Sequence, residues 1–311
     1  VIRKTVEIAT PGTRLSVALR QLVIERPDMA KATVPIEDLG VVVVDDRRAT
    51  YTQAVFVELL AAGATVVVTG LDHLPIGLML PLDAHHVQTE RHLAQVAASV
   101  PTRKRVWQAL VAGKIGQQAE VLRLFTGDPA GLTSMAGRVR SGDPDNLEAQ
   151  AAQRYWPRLF GQEFRRDREA DGVNACLNYG YAVFRAAIAR AIVAAGLIPS
   201  LGVFHRNRGN PFCLADDLLE PYRPFVDWRV KLMAANGLGG ALSLDDRSNR
   251  AALLSLFNET VQVGDRRLPM PLAIGASATS FFQVISGAAK KLALPVGMPL
   301  DPGLFVEDGE S

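Results

Sequence analysis

Asp216, Asp217 and Glu220 stand together in DDLLE, inside HRNRGNPFCLADDLLEPYRP (205–224), with no lysine or arginine between them. Carboxylates three or four positions apart on a helix face one another and destabilise it by about 0.2–0.5 kcal/mol per pair. Two held close favour protonation of one, unless a cation neutralises them, and a hard divalent metal does this directly. Asp217 and Glu220 are i,i+3 neighbours, and Asp216 and Glu220 are i,i+4. The spacing therefore leaves open which aspartate turns inward. His205, in the turn-forming segment ahead of the helix, offers a nitrogen ligand, and Arg206 and Arg208 beside it suit a phosphate-bearing substrate.

A further carboxylate, Glu148, lies in NLEAQAAQRYWPRLF (146–160), just inside a helix start. The stretch runs on into RLFGQEFRRDRE, where Arg158, Arg165, Arg166 and Arg168 alternate with aromatic residues, the dress of a nucleic-acid surface. The plain alternative for each of these acids is a solvated first helical turn matched to the macrodipole.

The elements that must position these residues divide the chain in two. Residues 1–80 are strand-like: RLSVALRQLVIERP reads as a hairpin around Arg20 and Gln21, and VVVV (41–44) and ATVVVTG (64–70) are β-branched runs. A helix from Gln53 to Ala62 stops at Gly63. Beyond a linker over 81–90, residues 91–311 carry apolar positions at helical spacing. Helices are predicted over 88–99, 102–126, 145–160, 173–196, 211–235 and 246–257, with a hairpin at 261–270 and a last helix near 277–292. Asp145 or Asn146 is the expected cap of the helix bearing Glu148, and Asn210 with Pro211 the expected start of the helix bearing Glu220, although Pro221 argues for a kink there. The fold class is α+β: a β-sandwich-like N-terminal domain, then a larger all-α C-terminal catalytic domain. The tail after Pro302 is acidic and expected to be loose.

The rest of the composition excludes more than it proposes. A net charge of +2 is too mild by itself to imply nucleic acid, so any basic surface must come from clustering. Cys176 and Cys213 are far apart and form no zinc or disulfide framework. No apolar run approaches 18 residues without a charge, so the expectation is a cytoplasmic protein with no membrane segment. His85, His86 and His92, with Glu90, lack ligand spacing and read as polar linker residues. The RKR run at 103–105 reads as a solvated helix face.

LEAQAAQRYWPRLFG, then VNACLNYGYAVFRAAIARAIVAAGLIPSLGVFH, then NPFCLADDLLEPYRPFVD resemble, in order and spacing, the CRISPR-associated integrase of the adaptation module. The resemblance covers essentially the whole chain and is nearest to the form found in type II systems. It implies a metal-dependent DNA endonuclease and integrase that inserts new spacers into CRISPR arrays. The implied Mg2+ or Mn2+ ligands are Glu148, His205 and Glu220, with Asp217 a further acid near the site and Arg165, Arg166, Arg206 and Arg208 on DNA. It also implies a homodimer, double-stranded DNA as substrate (protospacer and repeat), and a small ferredoxin-fold partner protein. Two rivals stand beside it. DDLLE matches the DDxxD/E pattern of helical prenyltransferases and terpene synthases, and a non-catalytic DNA-binding scaffold would carry the same acids for structure alone.

Overall fold

The structure is a computed structural model describing residues 3–235 and 242–299. The acidic tail after Pro302 lies outside the described residues. The first 79 residues hold β1 (Lys4–Ile8), β2 (Arg14–Ala18), β3 (Gln21–Glu25), β4 (Ala32–Pro35), β5 (Leu39–Val44), β6 (Thr50–Tyr51), α1 (Gln53–Ala61), β7 (Thr65–Thr69) and β8 (Pro75–Met79). They form two four-stranded sheets, ordered β1-β5-β7-β8 and β4-β3-β2-β6. The β2–β3 hairpin turns at Leu19 and Arg20, one residue earlier than the sequence suggested. Both sit in the left-handed region (φ 51° and 59°), as a two-residue turn matched to strand twist requires.

β5 explains why the first sheet must lie between two layers. It pairs in parallel with both β1 and β7, and all six of its residues are buried. Alternate side chains point to opposite faces. Val42 and Val44 pack with Leu15, Leu22, Val55 and Leu59 in a small N-terminal core, whereas Val41 and Val43 join Val67 in the core of the helices. An uninterrupted apolar strand is what burial on both faces demands. Buried Arg250 adds a polar tie across the same junction, 2.8 Å from Glu7 and 3.2 Å from Asp45.

The remainder is mostly helical: α2 (Gln88–Ala97), α3 (Val100–Thr126), α4 (Leu132–Arg138), α5 (Leu147–Phe160), α6 (Val173–Ala194), α7 (Cys213–Leu219), α8 (Arg223–Ala235), α9 (Arg247–Leu254) and α10 (Met270–Ile285). It is not wholly helical. The hairpin expected at 261–270 is present as β9 (Thr260–Val263) and β10 (Arg266–Pro269), and β11 (Pro295–Val296) completes a three-stranded sheet. α4, a single short element with only Leu132 and Met135 buried, is too brief to show a periodic pattern in the sequence. α10 begins seven residues before the expected start. Pro271 falls in its first turn, where a missing N–H costs nothing. α3 is the central strut: Ser99 caps its start, accepting from Thr102 N at 3.3 Å, and Gly127 at φ 74° ends it. Along its length it packs against α4, α5, α8, α10 and the turn that follows α7.

Candidate functional site

Three elements bring the sequence-predicted residues to α3. The first is the start of α5. Asp143, rather than Asp145 or Asn146, caps it, accepting from Leu147 N at 2.9 Å and Glu148 N at 3.1 Å. Asn146 occupies the cap position at φ 50° and ψ 46°, not the extended geometry a capping side chain needs, and Asp145 is paired with Arg140. The second is the α7–α8 junction. α7 starts three residues after Asn210, whose Oδ1 accepts from Phe212 N at 2.9 Å in a turn leading into the helix. Pro221 does not break the chain's course. Glu220 keeps helical backbone angles (φ −53°, ψ −46°), and a 3-10 turn over Glu220–Tyr222 leads directly into α8.

The third element is the loop 202–205, and Asp217 builds it. Of the two aspartates Asp217 turns inward and is fully buried. Its Oδ2 accepts from Val203 N (2.6 Å) and Phe204 N (3.2 Å), and its Oδ1 from His205 N (3.1 Å). Oδ1 also lies 2.8 Å from His205 Nδ1. Four donors occupy this carboxylate, so Asp217 holds the histidine loop and leaves no lone pair for a metal. Gly202 permits the approach: a Cβ there would stand 2.7 Å from both Asp217 Oδ2 and His205 O. The Asp217 hydrogen bond, outweighing burial, raises the His205 pKa. It also commits Nδ1 and leaves Nε2 as the ring nitrogen available for ligation. Asp216 points elsewhere, held by Arg185 (2.6 Å) and Asn210 (2.6 Å).

Glu148 and Glu220, 72 positions apart in the chain, converge on one cation. Lys114 Nζ of α3 lies 2.6 Å from Glu148 Oε1 and 2.5 Å from Glu220 Oε2, which puts those oxygens no more than about 5 Å apart. Glu220 Oε1 accepts from Arg223 Nε at 2.9 Å. Burial opposes ionisation of Glu220, but the charges of Arg223 and Lys114 outweigh it and hold the pKa at about 2. Burial also works against the Lys114 ammonium, and the charges of Glu220 and Glu148 overcome that, raising its pKa. Two turns earlier on α3, Trp107 stacks on Phe204 (centroids 4.0 Å, planes 2° apart) and meets the His205 ring edge-on at 5.8 Å.

The expected triad is thus only partly drawn together. Glu148 and Glu220 meet, while His205 is turned to Asp217, near enough for the charge of Glu220 to act on its ring. Among the described residues no three His, Cys, Asp or Glu side chains form a ready metal-holding group. The donor set nevertheless fits a divalent ion. Two carboxylates already share a cation, Glu220 Oε2 is buried without an aligned hydrogen-bond donor, and Nε2 is uncommitted. Oxygen and nitrogen donors together suit Mn2+ and accept Mg2+. Sequence reasoning missed Lys114, Arg223, Trp107 and Phe204. Arg223, three residues after Glu220, was the one that helical spacing could have disclosed.

The arginines divide. Arg206 and Arg208 are exposed on the histidine loop, and among the described residues neither has an ion-pair partner. Arg165 and Arg166 follow the end of α5, and the chain folds back there, so that Arg166 lies over the Tyr181 ring (5.5 Å to its centroid) that Arg223, the partner of Glu220, also covers (4.7 Å). Arg166 is committed to the fold, donating to Asp167 O (2.8 Å), Asn174 Oδ1 (2.9 Å) and Asn178 Oδ1 (2.5 Å). Arg165 is exposed, with one nitrogen on the carbonyls of Gln162 (2.6 Å) and Phe164 (2.9 Å).

Beneath the site, buried Asp227 accepts from Tyr155 OH (3.0 Å) and from Tyr181 OH. Burial raises its pKa to about 6, partly offset by the two tyrosine bonds. A folded pKa above the unfolded value means the native state binds the extra proton, so this contribution to stability is full below about pH 4 and is lost as pH rises through about 6. Asp227→Asn is therefore expected to remove a decline on the order of 2–3 kcal/mol between those limits. Urea unfolding of parent and variant across that pH range measures it, and parallel curves would exclude the assignment.

The profile described as "CRISPR associated protein Cas1" matches residues 6–255. The chain is 37% identical over 293 residues to the CRISPR-associated endonuclease Cas1 of Neisseria meningitidis serogroup C (strain 8013), covering 93% of this chain and 95% of that protein. Among solved structures it is similar to a casposase bound to integration product (TM-score 0.78, 18% identity, 93% of this chain and 92% of that one). It is also similar to a chain of a Cas6-RT-Cas1–Cas2 complex (TM-score 0.72, 16% identity, 94% of this chain and 36% of that one).

Proposed function

We propose, from the premise that this chain belongs to the Cas1 family of CRISPR-associated proteins, that it is a metal-dependent DNA endonuclease and integrase of CRISPR adaptation. The observation that carries the metal-dependent reading is the convergence of Glu148 and Glu220 on one cation. Glu148, Glu220 and His205 Nε2 would hold Mg2+ or Mn2+, which when bound polarises a phosphoryl oxygen and stabilises the leaving alkoxide. Asp217 fixes the histidine tautomer and the loop that carries Arg206 and Arg208. Those arginines bind the DNA backbone, and Phe204, half-exposed against Trp107, offers an aromatic face to a base. The attacking oxygen belongs to a DNA 3′-hydroxyl in integration and to water in cleavage. Branched DNA should be cut in the presence of Mn2+ and left intact when EDTA is added, and EDTA-resistant cutting would refute the metal requirement.

The prenyltransferase reading loses its footing in the geometry. DDLLE does not present three carboxylates to one cavity, because Asp216 is tied to Arg185, Asp217 is saturated by the loop, and only Glu220 reaches the site. The non-catalytic scaffold reading leaves the meeting of Glu148 and Glu220 without a purpose.

The homodimer belongs to the N-terminal domain in this proposal. Its β8 lies at a sheet edge and exposes Ile76 (73%), with Leu71 (76%) in the adjoining turn. Apolar side chains on an open edge are an invitation to pairing. Leu71→Glu with Ile76→Lys is expected to yield a monomer in sedimentation equilibrium, and an undiminished dimer would assign the interface to the helices. The small ferredoxin-fold protein is the proposed partner of that dimer. No helix among the described residues is long and apolar enough to cross a membrane.

A further inference from the structure

We infer that Lys114 is a resident counter-ion whose displacement couples metal binding to DNA binding, an inference that rests on the metal-dependent reading above. Its ammonium fills the space between Glu148 Oε1 (2.6 Å) and Glu220 Oε2 (2.5 Å), with only 13% of the side chain exposed. Arg223 neutralises the other oxygen of Glu220. The two glutamates thus face two permanent cations, and the site is electrically satisfied before any metal arrives. A divalent ion bound by both glutamates takes oxygen ligands at about 2.0–2.6 Å, so it must occupy the place where the ammonium now sits. Two cations cannot share those lone pairs without strong repulsion at such short range.

Lys114 must therefore release at least one glutamate when a metal enters, and its ammonium then needs another anion. The neighbouring carboxylates are already engaged. Asp217 is occupied by four donors, Asp227 by two tyrosines, and Asp216 by Arg185 and Asn210. A phosphodiester oxygen of bound DNA is the anion that the reaction itself brings. DNA thus stabilises the displaced lysine and opens the glutamates to metal, and metal frees the lysine for DNA. The two affinities must rise by the same factor, since linkage between binding sites is reciprocal. Lys114 acts here as a positioning residue, not as a group that attacks or transfers a proton.

The test is Mn2+ binding, read from the EPR signal of free Mn2+, for the parent, Lys114→Met and Glu220→Gln, each with and without an intact blunt duplex. Duplex should tighten Mn2+ binding to the parent about tenfold. Lys114→Met should bind Mn2+ about tenfold more tightly than the parent without DNA, and gain no more than about twofold when duplex is added. In the parent alone, duplex affinity should be about tenfold higher in Mn2+ than in EDTA. This arm needs no variant, and equal affinities there overturn the inference. Should Lys114→Met not fold, because two glutamates then repel, Lys114→Gln takes its place, uncharged but able to bridge both. A lysine variant with the parent's Mn2+ affinity and the parent's full gain from duplex also overturns it. The underlying metal reading fails separately, if Glu220→Gln binds Mn2+ as well as the parent does.

Discussion

Glu220→Gln is expected to reduce strand transfer and cleavage at least about 10²–10³-fold, the scale on which a group stabilising transition-state charge is lost, while duplex binding in EDTA stays within about twofold. Glu220 is buried, ionised well below its ordinary pKa, and shared between Lys114 and Arg223, so its charge is already spent inside the site. The substitution keeps the shape and removes the negative charge proposed to hold a metal ion against the reacting phosphate. Arg206→Ala with Arg208→Ala should give the opposite result. Both side chains are exposed on the loop that carries His205, and their proposed role is to hold the DNA backbone. Removing two phosphate contacts should weaken duplex binding at low salt and flatten the slope of log affinity against log salt by about 1.8. Single-turnover kinetics and salt-titrated binding separate the two variants. Binding lost with Glu220 and kept without the arginines would mean that the acidic helix holds DNA and does no chemistry.

Asp217→Ala is expected to cost on the order of 3–5 kcal/mol of stability, whereas its neighbour Asp216→Ala costs about 1 kcal/mol or less. The contrast follows from burial and partners. Removing the Asp217 carboxylate leaves the backbone N–H groups of Val203, Phe204 and His205 without their acceptor, together with the His205 ring nitrogen. Val203 is itself buried, so water cannot readily replace what is lost. Asp216 is partly exposed, and its pair with Arg185 is screened. Asp217→Asn, which retains one acceptor but turns an amide toward donors, should fall between the two. Urea unfolding of the three variants gives the ranking. Equal costs for the two aspartates would remove Asp217 from the role of loop anchor.

Much of this molecule was legible in its chain. β5 is a run of apolar β-branched residues, and such a run is at home only where both faces of a strand are covered. The helices bearing Glu148 and Glu220 were legible from apolar periodicity, because a helix that buries one face must repeat every three or four residues. The acids of DDLLE marked the segment that matters, although each found its own partner, and the set Glu148, His205 and Glu220 was named from the family resemblance rather than from spacing.

Only the tertiary structure decided what each charge does. Asp216 and Asp217 are adjacent and chemically identical, yet one is tied to Arg185 and the other is buried under a loop, a difference of about 100° around α7 that local spacing cannot resolve. Arg166, read as a DNA contact, is spent on Asn174 and Asn178, because what an arginine touches depends on segments that fold back from elsewhere in the chain. Lys114 shows the limit most clearly. In KRVWQALVAGKIGQQ it is one cation on a long helix, 34 positions from Glu148 and 106 from Glu220, and nothing local marks it. It becomes the centre of the site because α3 packs against both α5 and the turn after α7, and Coulomb energy depends on distance through space rather than along the sequence.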